Sequence, residues 1–421
     1  MEIASFYSIF LQSSSVVIDS RKVSEGAIFF AFSGDSFNAA TLAKGAVENG
    51  ALAVIVEDKE YEDKDRNIFY VESTEKFLQD LASYHRERLE IPIIGLTGSN
   101  GKTTTKELIS TVVASKYKVQ YTFGNLNNHL GVPLTLLSIR SEHDIAVVEM
   151  GANHQKEIEF LCSLARPTYG YITNFGKAHL EGFGGFEGVI KGKSELYNYL
   201  RSSKGTVLVN TMDPLQVEKT RDITPKITFG SNDSDYNFTA LSKDNRVGIK
   251  YENHEIISNL TGVYNFTNIA AAVSLGLYFG VSVEEIAKAI SSYTPQNMRS
   301  QIIQKGDKTL VLDTYNANPS SMALALENFA GFSGTKTVIL GDMLELGSHS
   351  REEHQKIYNQ ALALQFENII TVGKEFQQVN SEGFLNAKDL IAALQQTPIN
   401  TNNVLIKGSR GIQLETALES I

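Results

Sequence analysis

The stretch IIGLTGSNGKTTTKEL (residues 93–108) narrows the possible folds more than any other part of this chain. An apolar run leads into a glycine-rich turn, and the turn opens into a helical segment that begins Gly-Lys-Thr. That order calls for a buried strand delivering a loop to a helix N-terminus, where backbone N–H groups from Gly98 to Lys102 and the positive helix end can cradle a triphosphate. Lys102 then bridges the outer phosphates, and Thr103 places its hydroxyl on Mg²⁺. Glycine is expected at 98 and 101 because a side chain there would hold the backbone away from phosphate. Gly98, Ser99, Asn100, Gly101, Lys102, Thr103 and Thr104 are the expected nucleotide contacts. Leu96 stands where the longer GxxxxGK[ST] pattern has its first glycine, so only the shortened TGSNGKTT is present. ATP or GTP binding follows from this loop; the use made of the nucleotide does not.

Short apolar runs alternate with helical stretches almost from end to end, which predicts an α/β protein built on largely parallel sheets. A length of 421 residues corresponds to about three domains. The runs AIFFAF, LAVIVE and IFYV, with a helix over 39–50 and the helical TEKFLQDLASYHRERLE, describe a small unit over residues 1–88. Pro92 then precedes a new strand. IIGLTG, KVQYT, DIAVVEM, YGYITN and GTVLVN, a more antiparallel stretch from DYNFTAL to VGIKYE, and helices over 265–279 and 283–292 make a second unit over 89–294. Past Pro295, the runs TLVLDTY, TKTVILGDM, NIITVG and NNVLIKG predict a third, Rossmann-like unit over 295–421.

Composition limits the function. With 38 Lys and Arg against 48 Asp and Glu, the net charge is −10, the wrong sign for a duplex nucleic-acid binder. An anionic ligand must therefore be held by a local site. The one cysteine, Cys162, cannot form an intrachain disulfide and is read as a small buried hydrophobe in a reducing compartment. No Lys or Arg precedes Arg21, and no apolar run approaches membrane-spanning length, so a cytoplasmic protein without a membrane segment is expected.

The shortened loop resembles that of the Mur ligase superfamily, ATP-dependent amide-forming enzymes of peptidoglycan precursor and folylpolyglutamate synthesis. TFGNLNNHLGVP (122–133), EMGANHQKEI (149–158), AHLEGFGGFEGVIKGKSELY (178–197), DTYNANP (313–319) and GDMLELG (341–347) are similar, in order, to strings of the D-alanyl-D-alanine-adding branch. With DSRKVSEGAIFFAF near the N-terminus they span essentially the whole chain. The resemblance implies three domains: an N-terminal one for a uridine nucleotide, a central P-loop ATPase with a parallel sheet, and a C-terminal Rossmann-like domain that closes over ATP. It implies phosphorylation of the carboxylate of UDP-N-acetylmuramoyl-tripeptide, then attack by the amine of D-alanyl-D-alanine on the acyl phosphate. A monomer is expected.

The same resemblance assigns roles. Glu149 is implied as a Mg²⁺ ligand beside Thr103, and His179 as a ligand of a second metal. Lys193 is implied as a carbamylated lysine that ligates Mg²⁺ or orders its water, with Lys191 close by in sequence. With Lys102, these three are the expected catalytic set. Asn268 corresponds to the asparagine that meets adenine, with Tyr264 where many members carry histidine. Arg299 is expected to reach the phosphates on closure and Asp313 the ribose. Asn316 and Asn318 are implied to contact the dipeptide or ATP, and Asn125, Asn127 and Asn128 to lie near the acceptor and phosphate. Ser20, Arg21 and Gly34 fit the uridine diphosphate pocket. Two other readings compete: a nucleotide-controlled regulatory protein that keeps the loop without ligation, against which Lys193, His179 and Glu149 are all present, and a sister ligase that adds a single amino acid or extends folylpolyglutamate, from which DTYNANP and NLNNHLGVP differ.

Overall fold

In the computed structural model, which describes residues 1–34 and 36–421, the apolar runs form three α/β units on separate parallel or mixed sheets. The first carries β1 (Ser15–Val17), β2 (Ala27–Phe30), β3 (Ala53–Val56) and β4 (Ile68–Tyr70), all parallel in the order β1-β2-β3-β4. β2 and β3 are buried throughout. This explains why AIFF and AVIV read as unbroken apolar runs, since strands covered on both faces need no alternation. Helix Ile3–Phe10 and β1, absent from the sequence-based expectation, precede these strands. The expected helix over 39–50 is a 3₁₀ turn, Ala39–Leu42, continuing into a short helix, Ala43–Glu48.

After helix Thr74–Arg86, N-capped by Ser73, the chain enters the central sheet. Its strands are β5 (Ile93–Thr97), β6 (Val119–Tyr121), β7 (Ile145–Glu149), β8 (Tyr169–Ile172), β9 (Thr206–Asn210), β10 (Lys226–Gly230) and β11 (Tyr236–Asn237), parallel in the order β11-β10-β9-β8-β5-β7-β6. Successive strands add on one side of β5 and then on the other, so β5 sits where the order reverses, the place at which open α/β sheets bind ligands. Ile94 and Leu96 of β5 pack against Leu108, Ile109, Ile269 and Val273 of helices Lys102–Val113 and Phe266–Tyr278. Ile93 belongs to the opposite core with Leu136, Ile158 and Cys162. Cys162 is a buried hydrophobe, as its isolation in the sequence suggests, and burial pushes its thiol pKa up. The antiparallel ribbon is β12 (Thr239–Lys243), β13 (Arg246–Tyr251) and β14 (His254–Ile257).

The third sheet has the order β15-β16-β19-β17-β18, formed by β15 (Gln301–Lys305), β16 (Lys308–Asp313), β17 (Lys336–Gly341), β18 (Asn368–Val372) and β19 (Asn403–Lys407). Only β15 is antiparallel to its neighbour. Among the described residues no helix is long and apolar enough to cross a membrane.

Candidate active site

The carboxyl end of β5 opens into a crevice of about 900 Å³ walled by the central and C-terminal units. Gly101, with φ +78°, is the N-cap of helix Lys102–Val113, and no side chain caps the helix. The first N–H groups of that helix have no intrahelical acceptor, so they and the helix dipole face the crevice as an anion site. Two expected donors are not free. Ser99 N–H donates to the Asn174 carbonyl at 3.1 Å and Asn100 N–H to Asn174 Oδ1 at 3.1 Å. The donors that remain for an anion lie toward Gly101 and the first helical turn.

The reason for glycine also differs from the expectation. A Cβ on Gly98, whose φ is +143°, would lie 2.0 Å from Thr173 Oγ1, and one on Gly101 would lie 2.6 Å from Asn268 Oδ1. The loop is pressed against β8 and the helix Phe266–Tyr278, so glycine is required by protein neighbours irrespective of phosphate. Asn268 lines the crevice, yet its amide faces inward: Oδ1 accepts from Thr105 Oγ1 at 3.0 Å and Nδ2 donates to Asn265 Oδ1 at 2.7 Å. It braces the first turn of the loop helix and keeps one amide N–H beyond these two bonds.

Lys102 Nζ folds over the loop, donating to the Gly98 carbonyl at 2.7 Å and the Ser99 carbonyl at 3.3 Å. Burial lowers its pKa to about 8, against the attraction of Glu149. At the end of β7, Glu149 Oε1 accepts from Thr103 Oγ1 at 3.3 Å and from Asn127 Nδ2 at 2.8 Å. Its Oε2 is buried without a hydrogen-bond partner among the described residues. A hydroxyl beside a carboxylate with an unused lone pair suits a hard, oxygen-seeking cation that takes its remaining ligands from phosphate and water. No cluster of three or more His, Cys, Asp or Glu residues is gathered for a metal among the described residues. His179 lines the crevice, but its Nδ1 is hydrogen-bonded to Glu345 of the C-terminal unit. That carboxyl is held below its ordinary pKa by the same bond.

Lys193 is placed differently from an exposed ligand. It is 1% exposed, donates to the Ala152 carbonyl at 3.1 Å and lies 5.0 Å from the Phe183 ring centroid. Burial first, and the charge of Lys102 second, depress its pKa well below the usual lysine value. Both effects favour the uncharged amine over the ammonium.

The C-terminal unit supplies the facing wall. Arg299 stacks its guanidinium 3.7 Å from the Tyr315 ring centroid, and its Nε is buried without a partner among the described residues. β16 and β19 run parallel with Asp313 opposite Lys407, so their carboxyl ends meet and Lys407 Nζ binds Asp313 Oδ2 at 2.6 Å. Asn316 Oδ1 accepts from the next residue, Ala317 N–H, at 2.9 Å. Asn318 reaches across: its Nδ2 donates to Asn100 Oδ1 of the loop at 2.6 Å. Its Oδ1 also caps helix Pro319–Ala330 by accepting from Ser321 N–H at 3.0 Å. Asn318→Ala should lower the unfolding free energy by about 1 kcal/mol through loss of this cap. Urea titration checks it, and a midpoint equal to that of the native chain would show that the cap contributes nothing.

Asn125, Asn127 and Asn128 line the crevice, and Asn128 Oδ1 also accepts from Gly131 N–H at 2.9 Å. Ser20, Arg21 and Gly34 do not line it. Ser20 and Arg21 follow β1, where Arg21 pairs with Asp19 at 2.8 Å, and Gly34 makes a bridge with Phe37 after β2. The sequence reading missed Asn174, which anchors the loop; Lys407, which neutralises Asp313; and Lys106. Lys106 is 0% exposed, with Nζ 3.7 Å from Glu149 Oε2 and 3.2 Å from the Gly124 carbonyl. The signal for Lys106 was available: it lies four residues after Lys102, one turn along the same helix.

Three family descriptions match consecutive parts of the chain: "Mur ligase family, catalytic domain" over residues 13–86, "Mur ligase middle domain" over 96–276 and "Mur ligase, glutamate ligase domain" over 298–417. The UDP-N-acetylmuramoyl-tripeptide–D-alanyl-D-alanine ligase of Bacillus subtilis (strain 168) is 31% identical, the match covering 96% of this chain and 92% of the relative. The crystal structure of MurF from Acinetobacter baumannii superposes with a TM-score of 0.85 at 32% identity, covering 96% of this chain and 92% of that one. MurF from Thermotoga maritima in complex with ADP superposes with a TM-score of 0.84 at 27% identity, covering 98% and 97%.

Proposed function

The chain belongs to the Mur ligase family, and on that premise we infer that it joins D-alanyl-D-alanine to UDP-N-acetylmuramoyl-tripeptide at the expense of ATP. The observation that supports this best is the two-sided crevice: an uncapped helix N-terminus with Lys102 and Thr103 faces Arg299, Asn316 and Asn318 from another unit. Such an arrangement suits a triphosphate held by one domain and enclosed by the next.

In this reading the helix N-terminus and Lys102 bind the phosphates and draw charge from the γ-phosphoryl group as it moves to the tripeptide carboxylate. Arg299 faces the same charge from the C-terminal side. Thr103 and Glu149 would hold Mg²⁺, which neutralises phosphate charge when bound. Asn127 fixes the Glu149 carboxylate through the bond at 2.8 Å. His179 and a carbamylated Lys193 are assigned to metal binding or its water, with the lowered pKa of the buried amine as the supporting feature. The dipeptide amine then attacks the acyl phosphate, phosphate leaves, and an amide and ADP remain. Asn125, Asn128, Asn316 and Asn318 are assigned to the crevice substrates. Asp313, already paired with Lys407, is assigned to the ribose side.

Ser20, Arg21 and Gly34 are assigned to the uridine diphosphate, because their turns follow parallel strands at the carboxyl ends where such sheets bind ligands. The units are taken as 1–88, 89–294 and 295–421, in a monomeric cytoplasmic enzyme. Continuous phosphate release should require ATP, UDP-N-acetylmuramoyl-tripeptide and D-alanyl-D-alanine together. Steady release that is unchanged when either acceptor or dipeptide is omitted would overturn the ligase reading.

A further inference from the structure

Glu107 is the one acidic residue on the phosphate-loop helix Lys102–Val113, and it does not line the crevice. Its carboxylate instead meets the segment that carries the chain from the central to the C-terminal unit. Tyr293 Oη donates to Oε2 at 2.6 Å, and Asn297 Nδ2 donates to Oε1 at 2.8 Å. Between helix Val283–Ser292 and β15 this segment has no helix or strand of its own. Apart from the Tyr315 N–H donated to the Met298 carbonyl at 3.2 Å, its path rests on side chains.

The far end of the segment is fixed as well. The Ser300 and Tyr264 hydroxyls are hydrogen-bonded at 2.8 Å, with Ser300 buried. Arg299 lies between these anchor points, flanked by Met298 and Ser300, both in the left-handed region at φ 53° and 49°. Two successive excursions of this kind at non-glycine residues persist only where the surroundings dictate them. They turn the Arg299 side chain onto Tyr315 and into the crevice, with a buried Nε that no group among the described residues satisfies.

We propose that Glu107 is a positioning residue for Arg299. By clamping Tyr293 and Asn297 it registers the interdomain segment on the same helix whose N-terminus faces the phosphates. The distance between that N-terminus and the guanidinium is thereby set by one rigid element rather than by a free loop. A charged acceptor holding two neutral donors makes the stronger kind of hydrogen bond, and it forms only when the segment follows this path. The inference rests on the ligase reading, since it needs transferred phosphate for Arg299 to meet.

The test is a double-mutant cycle on the full-length enzyme with ATP, UDP-N-acetylmuramoyl-tripeptide and D-alanyl-D-alanine. Glu107→Ala should lower kcat by about tenfold to a hundredfold, with a smaller change in KM for the tripeptide. Glu107→Gln, which can keep one of the two bonds, should fall between. Because the effect runs through Arg299, adding Glu107→Ala to Arg299→Ala should cost less than about twofold further. Fully additive losses, or a Glu107→Ala enzyme with native kcat, would overturn the proposal. If Glu107→Ala melts too low to assay, Asn297→Ala and Tyr293→Phe break the same clamp from the segment side, and the same non-additivity with Arg299→Ala is required of them. A native chain without dipeptide-dependent phosphate release would instead strike the ligase reading, before any variant is compared.

Discussion

Replacing Lys102 by alanine should lower kcat/KM for ATP by about 10²–10³-fold while leaving the melting temperature nearly unchanged. The kinetic loss follows from position. Lys102 is the first residue of the uncapped helix, so its ammonium adds to the charge the helix already offers to phosphate. The crevice partly removes it from water, which is why its pKa falls to about 8, and the same exclusion of water strengthens its attraction for a polyanion. The fold should survive because other bonds hold the loop: Ser99 Oγ to the Gly176 carbonyl at 2.9 Å, and Thr173 Oγ1 to the Asn100 carbonyl at 2.6 Å. Lys102→Arg should recover only part of the loss, since a planar fork does not reproduce a compact ammonium at a site already crossed by two carbonyls. Steady-state kinetics at varied ATP, with thermal melts of the same preparations, decide the matter. A Lys102→Ala enzyme within a few-fold of native kcat/KM would remove this charge from the mechanism.

The strand-loop-helix at 93–108 and the four parallel strands of the third unit were readable because each needs only local information: an apolar run, a glycine turn and a helix start. β15 carries a local signal as well. It pairs with β16 across the two-residue turn Gly306-Asp307, with Gly306 at φ +63°, a composition typical of tight hairpins. Other features were out of reach for a physical reason. Asp313 and Lys407 are 94 residues apart and meet only because β19 lies beside β16 in the sheet order. Periodicity does not reveal which strands become neighbours. Asn174 is similar: it follows β8 without any motif, yet it occupies two N–H groups of the phosphate loop because β8 lies beside β5. The glycines were expected where they occur but for another reason, since crowding by Thr173 and Asn268 depends on packing that the loop sequence does not contain.

The net charge of −10 acquires a local meaning from the same geometry. Lys102, Arg299, Lys407 and an uncapped helix N-terminus converge on one crevice. Lys407 is already paired with Asp313, and Glu149 has Lys106 near one oxygen and Thr103 and Asn127 on the other. The cations left facing the opening are Lys102 and Arg299, from opposite walls. An acidic surface with an enclosed positive site disfavours polyanions at a distance and favours one that fits the opening.

Lys193→Met should reduce turnover by about 10³-fold and yet leave the protein folded and at least as stable as the native chain near neutral pH. Methionine keeps most of the volume at a position that is 1% exposed, so no large cavity forms. What is removed is an amine whose pKa burial depresses and that has one hydrogen bond, to Ala152, among the described residues. In the unfolded chain that amine takes up a proton, so below the ordinary lysine pKa the unfolded state binds more protons than the folded one. Native stability should therefore rise with pH over that range. The advantage of Lys193→Met, measured by melting in CO₂-free buffer, should be greatest at low pH and vanish as pH approaches the ordinary lysine value. The uncharged state is also the form that adds CO₂. Native enzyme in ¹³C-bicarbonate should show a carbamate carbon resonance that is missing from Lys193→Met and fades as pH is lowered, because protons compete with CO₂ for the amine. Depleting CO₂ should slow the native enzyme, and returning bicarbonate should restore it. Native turnover in Lys193→Met would exclude this residue from the chemistry, and a native enzyme indifferent to CO₂ with no carbamate resonance would leave the unmodified amine as the working group.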